Sequence, residues 1–135
     1  MNMKAFTLLC LILVLSSCMN DNARYSYADG SANVYEITPS SLEYIPVRPE
    51  QSSTGMYSGG TPGKVTLTDG QFNSVKDLLE NAIGKTEIHI PDRIKTSGKI
   101  SRTGGSGDTT VYIAGSSAEL REIEALLHQL LPTGK

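Results

Sequence analysis

The sequence predicts an α+β fold: a small antiparallel sheet with two helices packed on one face, in the rough order β-β-β-α-β-β-β-α. Three observations predict it. Two segments repeat apolar residues at helical spacing behind a capping signature, several short segments alternate apolar and polar residues, and Gly, Pro, Ser and Asn cluster between them. Segregation of this kind, without regular β-α alternation, points to helices gathered on one side of an antiparallel sheet.

The elements follow in order. "VYEIT" at 34–38 and "LEYIPV" at 42–47 read as two strands around a turn, with Pro46 pushing the second towards a sheet edge. "KVTLT" at 64–68 is the third strand. Thr68 and Gln71 have the spacing of a capping box, Phe72, Val75, Leu79 and Ala82 share one helical face, and Gly84 is placed to stop the helix. "TEIHI" at 86–90 is a strand ended by Pro91. Residues 93–102 alternate Ile94, Thr96, Gly98 and Ile100 against Lys95, Ser97, Lys99 and Ser101, a strand with one wet face. "TGGSGD" at 103–108 turns the chain into "TTVYIAG". A last helix opens on a Ser116 and Glu119 capping box and carries Leu120, Ile123, Leu127 and Leu130 on one side until Pro132.

The domain is expected to span residues 34–131. Residues 19–33, "MNDNARYSYADGSAN", show no sustained apolar period and read as a flexible tether in which Tyr25 and Tyr27 are solvated. Twelve basic against fourteen acidic residues give a net charge of −2, without the overall basic field that nucleic-acid binding usually needs. The two cysteines, Cys10 and Cys18, both fall in the first eighteen residues, so the domain has neither an internal disulfide nor a cysteine for a metal site.

The amino terminus carries the clearest chemistry. Lys4 supplies a positive charge, "AFTLLCLILVL" at 5–15 an apolar core, and Ser16 and Ser17 small residues for cleavage. The run is far shorter than the roughly 20 apolar residues a membrane-spanning helix needs. Leu15, Ser16, Ser17 and Cys18 resemble, position by position, the lipobox of bacterial lipoproteins. The resemblance implies residues 1–17 as a signal peptide, cleavage between Ser17 and Cys18, and diacylglyceryl attachment to the Cys18 thiol, often with acylation of the new amino terminus. It also implies a cell-envelope location. Met19 rather than an aspartate after the cysteine favours the periplasmic side of the outer membrane if the source is Gram-negative. Two or three acyl chains, at about 0.8 kcal/mol per buried methylene, make a stable anchor.

Other motifs do not hold. "GKT" at 84–86 has Leu79 where a phosphate loop needs its first glycine, "GGTPGKV" has Ser58 and Val65 in place of required residues, and "GGSGD" lacks the last glycine of a nucleophile elbow. His89 lies on a strand face with Glu87, and His128 one helical turn after Glu124, but neither arrangement identifies a nucleophile. Two histidines 39 positions apart do not suggest a metal site. Arg93, Lys95, Lys99 and Arg102 could form a basic strip for acidic polymers, or protect an exposed sheet edge. The long turn-rich segment 48–63 is the candidate recognition loop, with Met56 and Tyr57 as its contact residues. The sequence therefore predicts a lipid-anchored binding module, an inhibitor, immunity factor or assembly accessory with an envelope protein as partner, rather than an enzyme. It predicts no cofactor, metal or nucleic acid. The alternative is a tethered small hydrolase using Ser or His.

Overall fold

The middle strand of the sheet comes from the segment expected to be a tether. The computed structural model describes residues 22–131, which form strands β1 (Arg24–Ala28), β2 (Val34–Thr38), β3 (Ser41–Ile45) and β4 (Gly63–Thr66), helix α1 (Asp69–Gly84), strands β5 (His89–Ile90), β6 (Gly98–Thr103) and β7 (Thr109–Ile113), and helix α2 (Ala118–Leu130). The strands make one antiparallel sheet in the order β4-β3-β2-β1-β6-β7-β5. The α+β class with two helices is as expected; the sheet is larger, with four strands before the first helix instead of three.

β1 forms because "RYSYA" alternates strictly, so that Tyr25 and Tyr27 point to the same face. Both are buried, as is Ala23 before them. The domain thus begins ahead of residue 34, and residues 24–28 are core rather than tether. Register then fixes which residues share the face beneath the helices. Tyr27 lies opposite Tyr35 on β2 and Ile100 on β6, Tyr35 lies opposite Tyr44 on β3, and Tyr25 lies opposite Ile37 and Arg102. The rings of Tyr27, Tyr35 and Tyr44 form a row across three strands, with centroids 6.1 and 4.8 Å apart. Contacts of this kind contribute about 0.5–1.5 kcal/mol beyond their buried area.

Each phenol of β1 reaches one helix. Tyr25 Oη donates to Glu80 Oε1 of α1 at 2.6 Å, and Tyr27 Oη donates to Glu124 Oε1 of α2 at 2.7 Å. Arg102 Nη1 donates to both Glu80 oxygens, at 2.9 and 2.7 Å. Burial pushes the Glu80 carboxyl up, but these hydrogen bonds and the guanidinium charge outweigh it and leave the pKa below the ordinary value. The helix faces fill the remaining space with Phe72, Val75, Leu79 and Ala82 from α1 and Leu120, Ile123 and Leu127 from α2.

Several boundaries differ from the sequence reading. Thr68 and Gln71 do form the α1 capping box, but α2 is capped by Ser117, whose Oγ accepts from Leu120 N, while Glu119 pairs with Lys85. Residues 86–88 make a 3-10 turn, leaving only His89–Ile90 as strand. The strand expected from residue 93 starts at Gly98 and lies between β1 and β7, so its lysines do not guard a sheet edge. β3 is also internal, and Pro46 follows its last residue. Among the described residues, no helix is long and apolar enough to cross a membrane.

Candidate binding cleft

Antiparallel pairing puts two sets of connections at opposite ends of the sheet. At one end are residue 22, where the described chain begins, and the β6–β7 turn, where a Cβ on Gly104 would lie 3.1 Å from the carbonyl oxygen of Asn22. At the other end the β1–β2 turn, the long segment after β3 and the segment before β6 converge around a cleft of about 770 Å³. Its apolar lining comes from Val34, Ile45, Pro46, Val47, Tyr57 and Ile94, its polar bank from residues 51–54, and its charged groups are Arg93 and Lys95. Ile45 and Ile94 are unusually open for large apolar residues, 45% and 59% exposed.

Asn33 holds the walls together. It is 4% exposed, and its amide nitrogen donates to Asp29 Oδ2 at 2.9 Å and to Tyr57 Oη at 3.0 Å, while its Oδ1 accepts from Val47 N at 3.0 Å. The Asp29 Oδ1 accepts from the backbone N–H groups of Ser31 and Asn33, an Asx turn that shapes the β1–β2 connection. Gly59 packs directly on the Asn33 side chain, where a Cβ would collide with Oδ1 and with Pro46. Its carbonyl accepts from Tyr44 Oη at 2.6 Å, and its N–H donates to Val47 O at 2.9 Å. The long segment is therefore pinned to the tyrosine row beneath it.

The opposite wall is fixed by close backbone approach. Thr96, with φ of 79°, adopts a left-handed conformation that is rare for a β-branched residue. A Cβ on Gly30 would lie 2.7 Å from Thr96 Cα, and one on Gly115 would collide with the Thr96 carbonyl oxygen. Arg93 Nη2 donates to Asp29 O at 2.9 Å, and Ser97 Oγ closes the turn onto Ile94 O at 2.6 Å. Ala32, also left-handed with φ of 69°, lies at the cleft margin. Strain of this kind costs of the order of 1–3 kcal/mol per residue and clusters where a surface is shaped for recognition.

Of the two residues proposed for the recognition loop, Tyr57 lines the cleft, 39% exposed with its hydroxyl tied to Asn33, whereas Met56 is 84% exposed and does not line it. The basic strip divides. Arg93 and Lys95 border the cleft, Lys99 lies opposite Ala28 and Tyr112 on the face away from the helices, and Arg102 lies beneath the helices on Glu80. Neither histidine lines the cleft: His89 Nε2 is 2.8 Å from Ala82 O, and the His128 ring packs 6.2 Å from that of Tyr35. Among the described residues, no group of three or more His, Cys, Asp or Glu is placed to hold a metal ion. Ser17 and Cys18 lie outside the described residues.

The sequence reading missed Asn33, Ile45 and Ile94 as cleft residues. A signal for the first was present: "DG" at 29–30 stands between the alternating runs "RYSYA" and "VYEIT", which is a hairpin pattern. The exposure of Ile45 and Ile94 left no comparable trace, because each occupies an apolar position of a run that looks like ordinary strand. No family model, curated protein or solved structure matches this chain.

Proposed function

We propose that this chain is a lipid-anchored protein of the bacterial cell envelope, held through Cys18, and that its domain binds another envelope protein through the cleft between residues 30–34, 45–57 and 93–95. The observation carrying the binding half is the cleft itself: an apolar floor left open to solvent, walled by segments pinned through Asn33 and Thr96. Pinned walls lower the ordering cost of association, because little conformational freedom remains to be lost on binding. The lipobox resemblance of residues 15–18 carries the anchoring half.

The two halves fit one geometry. Cys18 is four Cα-to-Cα steps from Asn22, which span at most about 14 Å. The cleft lies beyond the far end of β1, whose five residues measure about 17 Å. An acylated Cys18 would thus keep the β6–β7 end near the bilayer and the cleft facing away from it. Mass spectrometry of the amino terminus tests the anchor: a chain starting at acylated Cys18 is expected, and Cys18→Ser should abolish the modification. Capture of partners from envelope extracts by wild-type protein and by the Ile45→Ser, Ile94→Ser double variant tests the cleft. Loss of capture with an unchanged melting temperature is expected; equal capture would overturn the binding assignment.

A further inference from the structure

We infer that the cleft takes an extended peptide segment in which acidic side chains alternate with aliphatic ones. This rests on the binding reading of the cleft and adds the chemistry of its occupant. The chain is acidic overall, with a net charge of −2, yet the cleft lining contains Arg93 and Lys95 and no Asp or Glu. Asp29 is close by but turns its carboxylate into the β1–β2 connection, where Ser31, Asn33 and the Asn33 amide occupy it. The charged side chains that line the cleft are thus both cationic, which favours an anionic partner over a cationic one.

An anion alone does not account for the site. A small oxyanion would satisfy one cation and leave Val34, Ile45 and Ile94 bare, although burial of such aliphatic surface is itself favourable. An extended chain uses both features, because successive side chains point to opposite sides with period two. Aliphatic side chains can lie on the Ile45 and Ile94 floor while the alternate acidic ones reach towards Arg93 and Lys95. Ser53 and Thr54 on the other bank offer hydroxyls to the peptide backbone of such a segment, whereas the Ser52 hydroxyl is taken up by Pro49 O and Tyr57 N. A lipid headgroup is the less suitable source of negative charge, since the cleft is at the end of the sheet away from residue 22.

Fluorescence anisotropy on the full chain in neutral detergent tests this with three labelled, end-capped octapeptides alternating Glu and Leu, Lys and Leu, and Glu and Ser. Saturable binding of the Glu-Leu peptide alone is expected. The Arg93→Glu, Lys95→Glu variant should weaken it by about tenfold or more and gain affinity for the Lys-Leu peptide. Lys95→Glu alone, which leaves the Arg93 contact to Asp29 in place, should shift preference in the same direction by less. Equal binding of Glu-Leu and Lys-Leu, binding indifferent to charge reversal, or absence of binding would each overturn the inference. So would saturable binding of vesicles containing phosphatidylglycerol that charge reversal abolishes while the peptides stay unbound. In any of these cases capture by wild-type protein, lost in the Ile45 and Ile94 variant, would still uphold the cleft as a protein-binding site.

Discussion

Tyr27 and Tyr57 show how differently the two regions of this molecule use one side chain. Tyr27, under the helices, is 0% exposed; its ring packs against Tyr35 and its hydroxyl is spent on Glu124. Tyr57, at the cleft, is 39% exposed; its hydroxyl accepts from Asn33 and part of its ring faces solvent. The first region joins elements far apart in sequence through apolar burial and a few strong hydrogen bonds. The second is shaped by polar contacts and close glycine packing, and keeps apolar surface in reserve. Stability should therefore concentrate in the helix-covered face, and recognition in the cleft.

Removal of β1 makes the sharpest break. A chain starting at residue 34 should fail to fold, whereas one starting at residue 22 should give a mixed helix and sheet circular dichroism spectrum with a cooperative melt. Without β1, β2 and β6 each lose a hydrogen-bonded neighbour, and Glu80 and Glu124 lose their phenol donors. A cooperative melt from the shorter chain would show that β1 is an addition to the domain rather than its centre.

Tyr27→Ala should be next in size. Truncating a large buried aromatic costs about 3–5 kcal/mol, and here a part-buried carboxylate also loses its donor. Urea denaturation should show this as a lower midpoint with a similar slope. A loss below about 1 kcal/mol would mean that the tyrosine row does not carry the core.

The same face sets an alkaline limit. Burial, hydrogen bonds to carboxylates and nearby negative charge raise the phenol pKa values of Tyr25 and Tyr27, and burial with neighbouring acidic groups raises that of Tyr35. The folded chain then keeps protons that the unfolded chain releases near the ordinary tyrosine value of about 10. Stability from these groups is full below that pH and falls as pH rises above it, by up to about 1.4 kcal/mol per pH unit for each. Denaturation midpoints measured from pH 8 to 11 should drop only above about pH 10, and the drop should be shallower in Tyr27→Phe.

The contrast between the regions also explains what the sequence revealed. Both helix faces were legible because Phe72, Val75, Leu79 and Ala82, and likewise Leu120, Ile123 and Leu127, repeat at a spacing that only a one-sided helix explains. β1 was hidden because its large apolar side chains are two tyrosines with no branched aliphatic residue beside them, unlike "VYEIT", and its Asn, Asp, Ser and Gly surroundings mimic a linker. Residues 93–97 misled in the opposite sense: their alternation looks like strand, but Gly30 and Gly115 press on Thr96 and the backbone turns instead. The recognition loop was half legible. Its length and composition marked Tyr57, but the wall facing it comes from the segment before β6, 36 to 38 positions later in the chain for Arg93 to Lys95, and only tertiary folding brings the two together.

Tyr57→Phe should have the smallest effect on stability and so gives the finest test of the comparison. It keeps the ring and removes one acceptor, leaving the Asn33 amide with its bond to Asp29 Oδ2 and one N–H to satisfy otherwise. A typical hydrogen bond of this kind contributes about 1 kcal/mol, and the exposure of Tyr57 gives water a route to the vacated N–H, which lowers the loss further. The melting temperature should fall by a few degrees at most. Tyr57→Ala goes further, taking away the ring that lines the cleft, and should reduce partner capture while costing much less stability than Tyr27→Ala. If instead Tyr57→Phe destabilised as strongly as Tyr27→Ala, the Asn33 hydrogen bonds would belong to the core, and the division between a stabilising face and a recognition end would fail.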